Sequence, residues 1–189
     1  MVKVALAPMI SGPLSSTSEP VSQQIENYSA EMQAKTHIIN GGSTFRLDGR
    51  DMVGQLNKAS VSIFPERSKL VKGQEVTKED LTSFIEENMD IFYGNEDMLT
   101  VGTWFDHDSN QTYIDVITVL DKVSDAVYLG TVYNQKAVFD LENSIEIKTG
   151  GNGDQDEEFK SSEAESFYKR RPFFNFEALL FPFNSPRTK

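Results

Sequence analysis

The sequence predicts an α+β fold, and three observations predict it. Short runs that alternate small polar with β-branched residues recur between residues 59 and 148. Two helix starts fall among them, at Thr77 and Ser124. The segments come in the order βαββαβ, with one further edge strand. That order is the split βαβ, ferredoxin-like pattern. Its crossovers share a hand, so both helices are expected on one sheet face. Extended N- and C-terminal arms flank this unit.

The first strand runs from Ala59 to Pro65, where the proline stops it. Thr77 then caps a helix, Asp80 stands three residues on, and Val76 can pack on Leu81 as a hydrophobic staple. Leu81, Phe84, Ile85 and Met89 fall on one apolar stripe, and Gly94 ends the helix or its exit turn. Met98–Phe105 and Thr112–Leu120 form a hairpin around the polar turn Asp106–Gln111. The helix signal repeats at Val123, with Ser124 as cap and Asp125 in the acidic first turn. Its inward stripe is Ala126, Leu129, Gly130 and Tyr133, and the small residues let it approach a sheet closely. Lys136–Leu141 is the fourth strand and Ser144–Lys148 the edge strand. Leu81, Phe84, Ile85, Val116 and Phe139 are the expected core.

The flanks read differently. Residues 1–58 form an N-terminal arm with a short helix and a hairpin. Pro8 and Pro13 lie in an extended start, and Pro20 suits a first helical turn. Val21, Ile25, Tyr28 and Met32 make a narrow seam, either packed on the chain's own domain or shared with a partner. Thr36–Asn40 and Ser43–Leu47 read as a hairpin around Gly41-Gly42. Residues 59–151 are the core domain, and 152–166 are a glycine- and acid-rich linker. Residues 167–189 are an aromatic docking tail. Phe167, Tyr168, Phe173, Phe174, Phe176, Phe181 and Phe183 crowd a segment too short to bury itself. With Arg170 and Arg171 they are the expected partner-binding residues. The tail can dock on the open face of its own sheet or in a groove on another protein.

Composition narrows the chemistry. The formal net charge is −11, which disfavours direct nucleic-acid binding because phosphate contacts need clustered Lys and Arg. Cysteine is absent, so disulfides, thiolate metal sites and Cys nucleophiles are excluded. His37 and His107 are the only histidines, too few for a His-rich metal site. No apolar run approaches the ~18 residues of a membrane span, and Val4–Ile10 reads as part of an anchoring arm.

Asp106, Asp108, Asn110 and Thr112 alternate like the opening of a calcium loop. The pattern then fails, with Gln111 in place of the glycine and Ile117 in place of the bidentate Glu. His107 lies beside Asp106, Asp108 and Ser109, but neighbours on one turn do not converge as a catalytic dyad must. Asp115 lies mid-strand on the face of Tyr113, Ile117 and Val119. If that face is covered it needs a partner, which Lys169, Arg170 or Arg171 could supply. No metal, cofactor or catalytic residue is expected.

The stretches Ser62-Ile-Phe-Pro-Glu-Arg-Ser68, Gly102-Thr-Trp-Phe-Asp106 with Thr112-Tyr-Ile-Asp-Val116, Tyr133-Asn-Gln-Lys-Ala-Val-Phe-Asp-Leu-Glu-Asn143 and Ile147-Lys-Thr-Gly-Gly151 carry a resemblance. Over about residues 60–151 the chain resembles a small uncharacterised α/β domain found in tailed-phage hypothetical proteins. The resemblance implies a phage source and no catalytic residues. Together with the arms it leads to an expected function: a non-enzymatic phage structural or assembly protein, capsid-decorating or accessory to the virion, attaching through its arms. The alternative is a soluble phage protein that binds and inhibits a host protein. Expected partners are viral structural proteins or copies of itself, without direct nucleic acid or membrane. The expected location is the virion, otherwise the host cytoplasm.

Overall fold

The computed structural model describes residues 28–153. The aromatic tail, most of the acidic linker, the proline arm and the seam residues Val21 and Ile25 lie outside the described residues.

The fold is α+β, built on one antiparallel sheet. In chain order its elements are α1 (Ala30–Asn40), β1 (Gly42–Phe45), β2 (Ala59–Ser62), a 3-10 turn (Pro65–Arg67), β3 (Lys69–Lys72), α2 (Lys78–Glu87), α3 (Met89–Phe92), β4 (Leu99–Asp106), β5 (Gln111–Leu120), α4 (Val123–Val132), β6 (Ala137–Asp140) and β7 (Ile145–Lys148). The strand order is β1-β4-β5-β2-β6-β7, and β3 pairs with β5. The seven strands exceed the expected βαββαβ unit and its edge strand by two, β1 and β3.

β5 is the spine. Along one side it pairs with β4, from Gln111 opposite Asp106 to Thr118 opposite Leu99. Its other side is shared: β3 takes the first half, with Ile114 opposite Lys69, and β2 takes the second, with Leu120 opposite Ala59. The alternation of β5 then sorts the sheet into two faces. Thr112, Ile114, Val116, Thr118 and Leu120 are buried on one face. Tyr113, Asp115 and Val119 are half-buried on the other.

The core sits on the first face. Ile114, Val116, Val101, Leu99 and Val61 meet Leu81, Phe84 and Ile85 of α2, Ile91 and Phe92 of α3, and Ala126, Leu129 and Val132 of α4. Each large side chain buried there contributes roughly 1.5–3 kcal/mol. α2 starts where the sequence places it. The Thr77 hydroxyl accepts from the Asp80 N–H at 3.1 Å, and the Asp80 carboxylate accepts from the Thr77 N–H at 3.2 Å. Two N–H donors at that helix end are thereby satisfied. α4 lies close on the sheet because a Cβ on Gly130 would stand 2.6 Å from Val138 Cγ1.

Four expectations are corrected. Thr36–Asn40 is not a hairpin strand but the end of α1, and Gly41 is its left-handed cap at φ +74° rather than a hairpin turn. The helix wins because Ala30, Gln33, Ala34 and His37 are spaced to bury one helical face. The Gln33 amide donates to the Val101 carbonyl at 3.0 Å, and His37 Nε2 bonds the Gln74 carbonyl at 2.9 Å. Burial lowers the His37 pKa, with the Gln74 carbonyl opposing, so the ring is neutral at pH 7. The seam does not continue into α1: Met32 is exposed, although Tyr28 packs against the core. Ser124 lies inside α4, whose first turn begins after Lys122 without a side-chain cap. Phe139 is half-buried on the second face, because its register partner is Ser60 and that row points away from the core.

Candidate binding face

The second face carries Gly102, Trp104 and Asp106 of β4, and Tyr113, Asp115, Ile117 and Val119 of β5. β2 adds Ser60 and Ser62, and β6 adds Phe139. Each follows from strand register, since paired residues share a face. Asp115 stands opposite Gly102, Tyr113 opposite Trp104, and Ile117 opposite both Thr100 and Ser62. Gly102 has no side chain for a reason of space. A Cβ there would lie 2.3 Å from Ile117 Cγ1, so Ile117 folds over the glycine.

This face is concave. β4 and β7 are four strand steps apart in the sheet, which is ~19 Å if the sheet is flat. Yet the Trp104 indole N–H donates to Glu146 of β7 at 2.8 Å. Lys136, just before β6, donates to Asp106 of β4 at 2.7 Å. Only a curled sheet brings these side chains together. The Lys136 ammonium also stands 5.6 Å over the Tyr113 ring, and Lys148 stands 5.9 Å over Trp104. Trp104 and Tyr113 lean together with centroids 5.6 Å apart. Cation–π and aromatic contacts of this kind contribute roughly 0.5–1.5 kcal/mol each.

At that end of the face lies a cleft of about 240 Å³, lined by Trp104, Asp106, Asp108, Lys136, Lys148, Gly150 and Gly151. Gly151 is held tightly: a Cβ would meet the Gln135 carbonyl oxygen at 2.2 Å. The Gly153 N–H donates to the Asn134 carbonyl at 2.9 Å, so the last described residues stay beside the α4–β6 connection.

Three of the four charged residues that line the cleft, Asp106, Lys136 and Lys148, are paired. Burial alone would raise the Asp106 carboxyl. Lys136, the Ser109 hydroxyl and the Asp108 N–H together outweigh it and hold the pKa down at about 2. The latter two bonds are 2.8 and 3.0 Å. A carboxylate held so low is a poor base at neutral pH. The bond to Asp106 correspondingly raises the Lys136 pKa. Lys148 pairs with Glu146 at 3.0 Å.

Asp115 differs. Desolvation pushes its pKa up to about 6, and the one hydrogen bond to its carboxylate among the described residues comes from the Ser68 hydroxyl. The Ser62 hydroxyl, on the same face and buried, has no hydrogen-bond partner among the described residues.

The structure does not assemble the catalytic groupings weighed from the sequence. His107 is exposed and packs edge-on against Phe105 at 4.6 Å. Asp106 turns to Lys136 rather than to a loop cation, and among the described residues no group of three or more His, Asp or Glu could hold a metal ion. No described helix is long and apolar enough to cross a membrane. The expected tail residues, Phe167 to Phe183, lie outside the described residues. The Trp104–Glu146 and Asp106–Lys136 contacts have no local sequence signal, because 42 and 30 residues separate the partners. No family model matches the chain, and neither a curated protein nor a solved structure matches it.

Proposed function

We propose that this chain is a non-enzymatic phage structural or assembly protein, capsid-decorating or accessory to the virion. It attaches through its arms to viral structural proteins or to copies of itself. The observation that carries the reading is the concave face. Trp104, Tyr113, Val119 and Phe139 stay partly uncovered there, while Asp106, Lys136, Glu146 and Lys148 pair among themselves. Such a face offers contact area, and the low pKa of Asp106 makes it a poor base at neutral pH. The aromatic tail and the resemblance to a tailed-phage domain support the same reading. The reading needs no cofactor, metal, nucleic acid or membrane, and it places the chain in the virion.

We also infer that β2, α2, β4, β5, α4 and β6 form a split βαβ, ferredoxin-like unit with both helices on one face, inside the larger sheet. The order β4-β5-β2-β6 supports this, since all its neighbours are antiparallel.

Quantitative mass spectrometry of purified particles tests the function. Tens to hundreds of copies per particle, roughly the scale of a symmetric shell, are expected. Absence from particles overturns the reading and favours a soluble inhibitor of a host protein in the host cytoplasm. The net charge of −11 favours that second reading, because a strongly acidic surface steers toward basic partners.

A further inference from the structure

The concave face has an apolar row that is only partly covered, buried at Ile117 and half-buried on either side of it, with an under-partnered carboxylate and a chain exit at one end. Along β5 the row runs Tyr113, Asp115, Ile117, Val119, flanked by Trp104 at one end and Phe139 at the other. Tyr113, Trp104, Val119 and Phe139 are half-buried, in contrast to the fully buried residues of the opposite face. Asp115 sits in the middle of the row, and among the described residues only the Ser68 hydroxyl bonds its carboxylate. A half-buried carboxylate with one neutral donor lacks a cationic partner.

The described chain ends at the Trp104 end of this row. Gly150 and Gly151 line the cleft with Trp104 and Lys136. The thirteen residues 154–166 that follow span roughly 20 Å as a flexible chain. That reach covers the row. The next stretch is Phe167-Tyr-Lys-Arg-Arg-Pro-Phe-Phe-Asn-Phe176. Residues 167–189 carry five Lys and Arg against one Glu, net +4. Residues 28–153 carry twenty Asp and Glu against eleven Lys and Arg, net −9. Segment and body are therefore of opposite sign.

We propose that residues 167–176 of the same chain lie extended along the concave face, with Arg170 on Asp115. In an extended segment alternate side chains share a face, so Tyr168, Arg170, Phe174 and Phe176 point one way and Lys169, Arg171, Phe173 and Asn175 the other. Arg170 and Phe174 are four residues apart, ~13 Å. Asp115 and Val119 are also four apart along β5, so one register seats both pairs. Tyr168 then meets Trp104 and Tyr113, and Phe174 and Phe176 meet Val119 and Phe139. The direction agrees as well, because the segment enters from the cleft end. A guanidinium is the suitable partner for Asp115, since it pairs bidentately with a carboxylate and stacks on aromatic faces. The inference deepens the binding reading by naming what the face holds in the free chain. A particle partner that binds the tail would then have to displace it from the chain's own face.

The test uses the full chain, which has no native cysteine. Asn175→Cys carries a nitroxide label on the outward side of the segment. The expected result is loss of more than half the methyl signal of Ile117 and Val119 within the labelled chain. A one-to-one mixture of spin-labelled, isotopically silent chain with isotope-labelled, spin-free chain should show no such loss. Arg170→Gln and Asp115→Asn should each restore most of the signal, and Arg171→Gln should not. Loss in the mixed sample as well would assign the face to a second copy and overturn the proposal. Broadening at another surface, or none, would overturn it too. If Arg171→Gln restores the signal and Arg170→Gln does not, the register is wrong. Particle content does not enter these spectra, so this inference and the virion reading fail separately.

Discussion

Lys136→Met removes the cation that closes the cleft, and its cost can be worked from Asp106. The Asp106 side chain is 4% exposed and its bond to Lys136 is 2.7 Å. Its pKa is about 2 in the fold, against the ordinary 3.8. At ~1.4 kcal/mol per pH unit, that depression contributes about 2 kcal/mol. Because the folded value is the lower one, the contribution is fully present above pH ~4 and is lost as pH falls toward ~2. Lys136 shares that depression with the Ser109 hydroxyl and the Asp108 N–H, so Lys136→Met should melt several degrees, at most about 10 °C, below the parent at pH 7. The gap should shrink as the pH is lowered from 4 to 2. Urea unfolding followed by Trp104 fluorescence reads both effects, since Trp104 lies on the same cleft and is the only tryptophan. Equal stability at pH 7, or a gap unchanged at pH 2, would refute the assignment of Asp106 and Lys136 as the latch of the curled sheet.

Other substitutions probe the remaining layers. Phe84→Ala, at a fully buried position, should cost about 3–5 kcal/mol, read by the same urea titration. Gly130→Ala should destabilise by roughly 1 kcal/mol although alanine is the better helix former. Its Cβ would meet Val138 Cγ1 at 2.6 Å and Thr149 Cγ2 at 2.8 Å, and overlap of about 1–3 kcal/mol outweighs a helix gain of about 1. Added calcium, or a chelator, should leave the melting temperature unchanged, because Lys136 already occupies the Asp106 carboxylate.

What could be read ahead of the structure was local. The Thr77–Asp80 box, the stripe of Leu81, Phe84 and Ile85, and the β4–β5 hairpin each lie within one short window of sequence. The close approach of Gly130 was legible for the same reason: small residues on an apolar stripe imply a near neighbour. β3 was missed because Lys69-Leu-Val-Lys72 shows no alternation, and only its pairing with β5 makes it a strand. The end of α1 was misread because Gly41-Gly42 serves a helix cap and a strand start as readily as a hairpin turn. Phe139 was misplaced because a four-residue strand gives no sign of which face the sheet will bury. The curl arises from register, from Ile117 over Gly102 and from contacts across 30 to 42 residues. Asp115 was legible as a carboxylate in need of a partner from its apolar neighbours alone.

The central claim is attachment through the aromatic tail. Its most direct test replaces Phe173, Phe174 and Phe176 together by serine in the full chain and measures co-sedimentation with particles lacking the native protein. The account predicts that the variant still unfolds cooperatively, since Leu81, Phe84, Ile85, Val101 and Ile114 of the core are untouched, but is lost from the particle fraction by at least tenfold, which is ~1.4 kcal/mol of binding. Co-sedimentation of the variant at the level of the parent would contradict it.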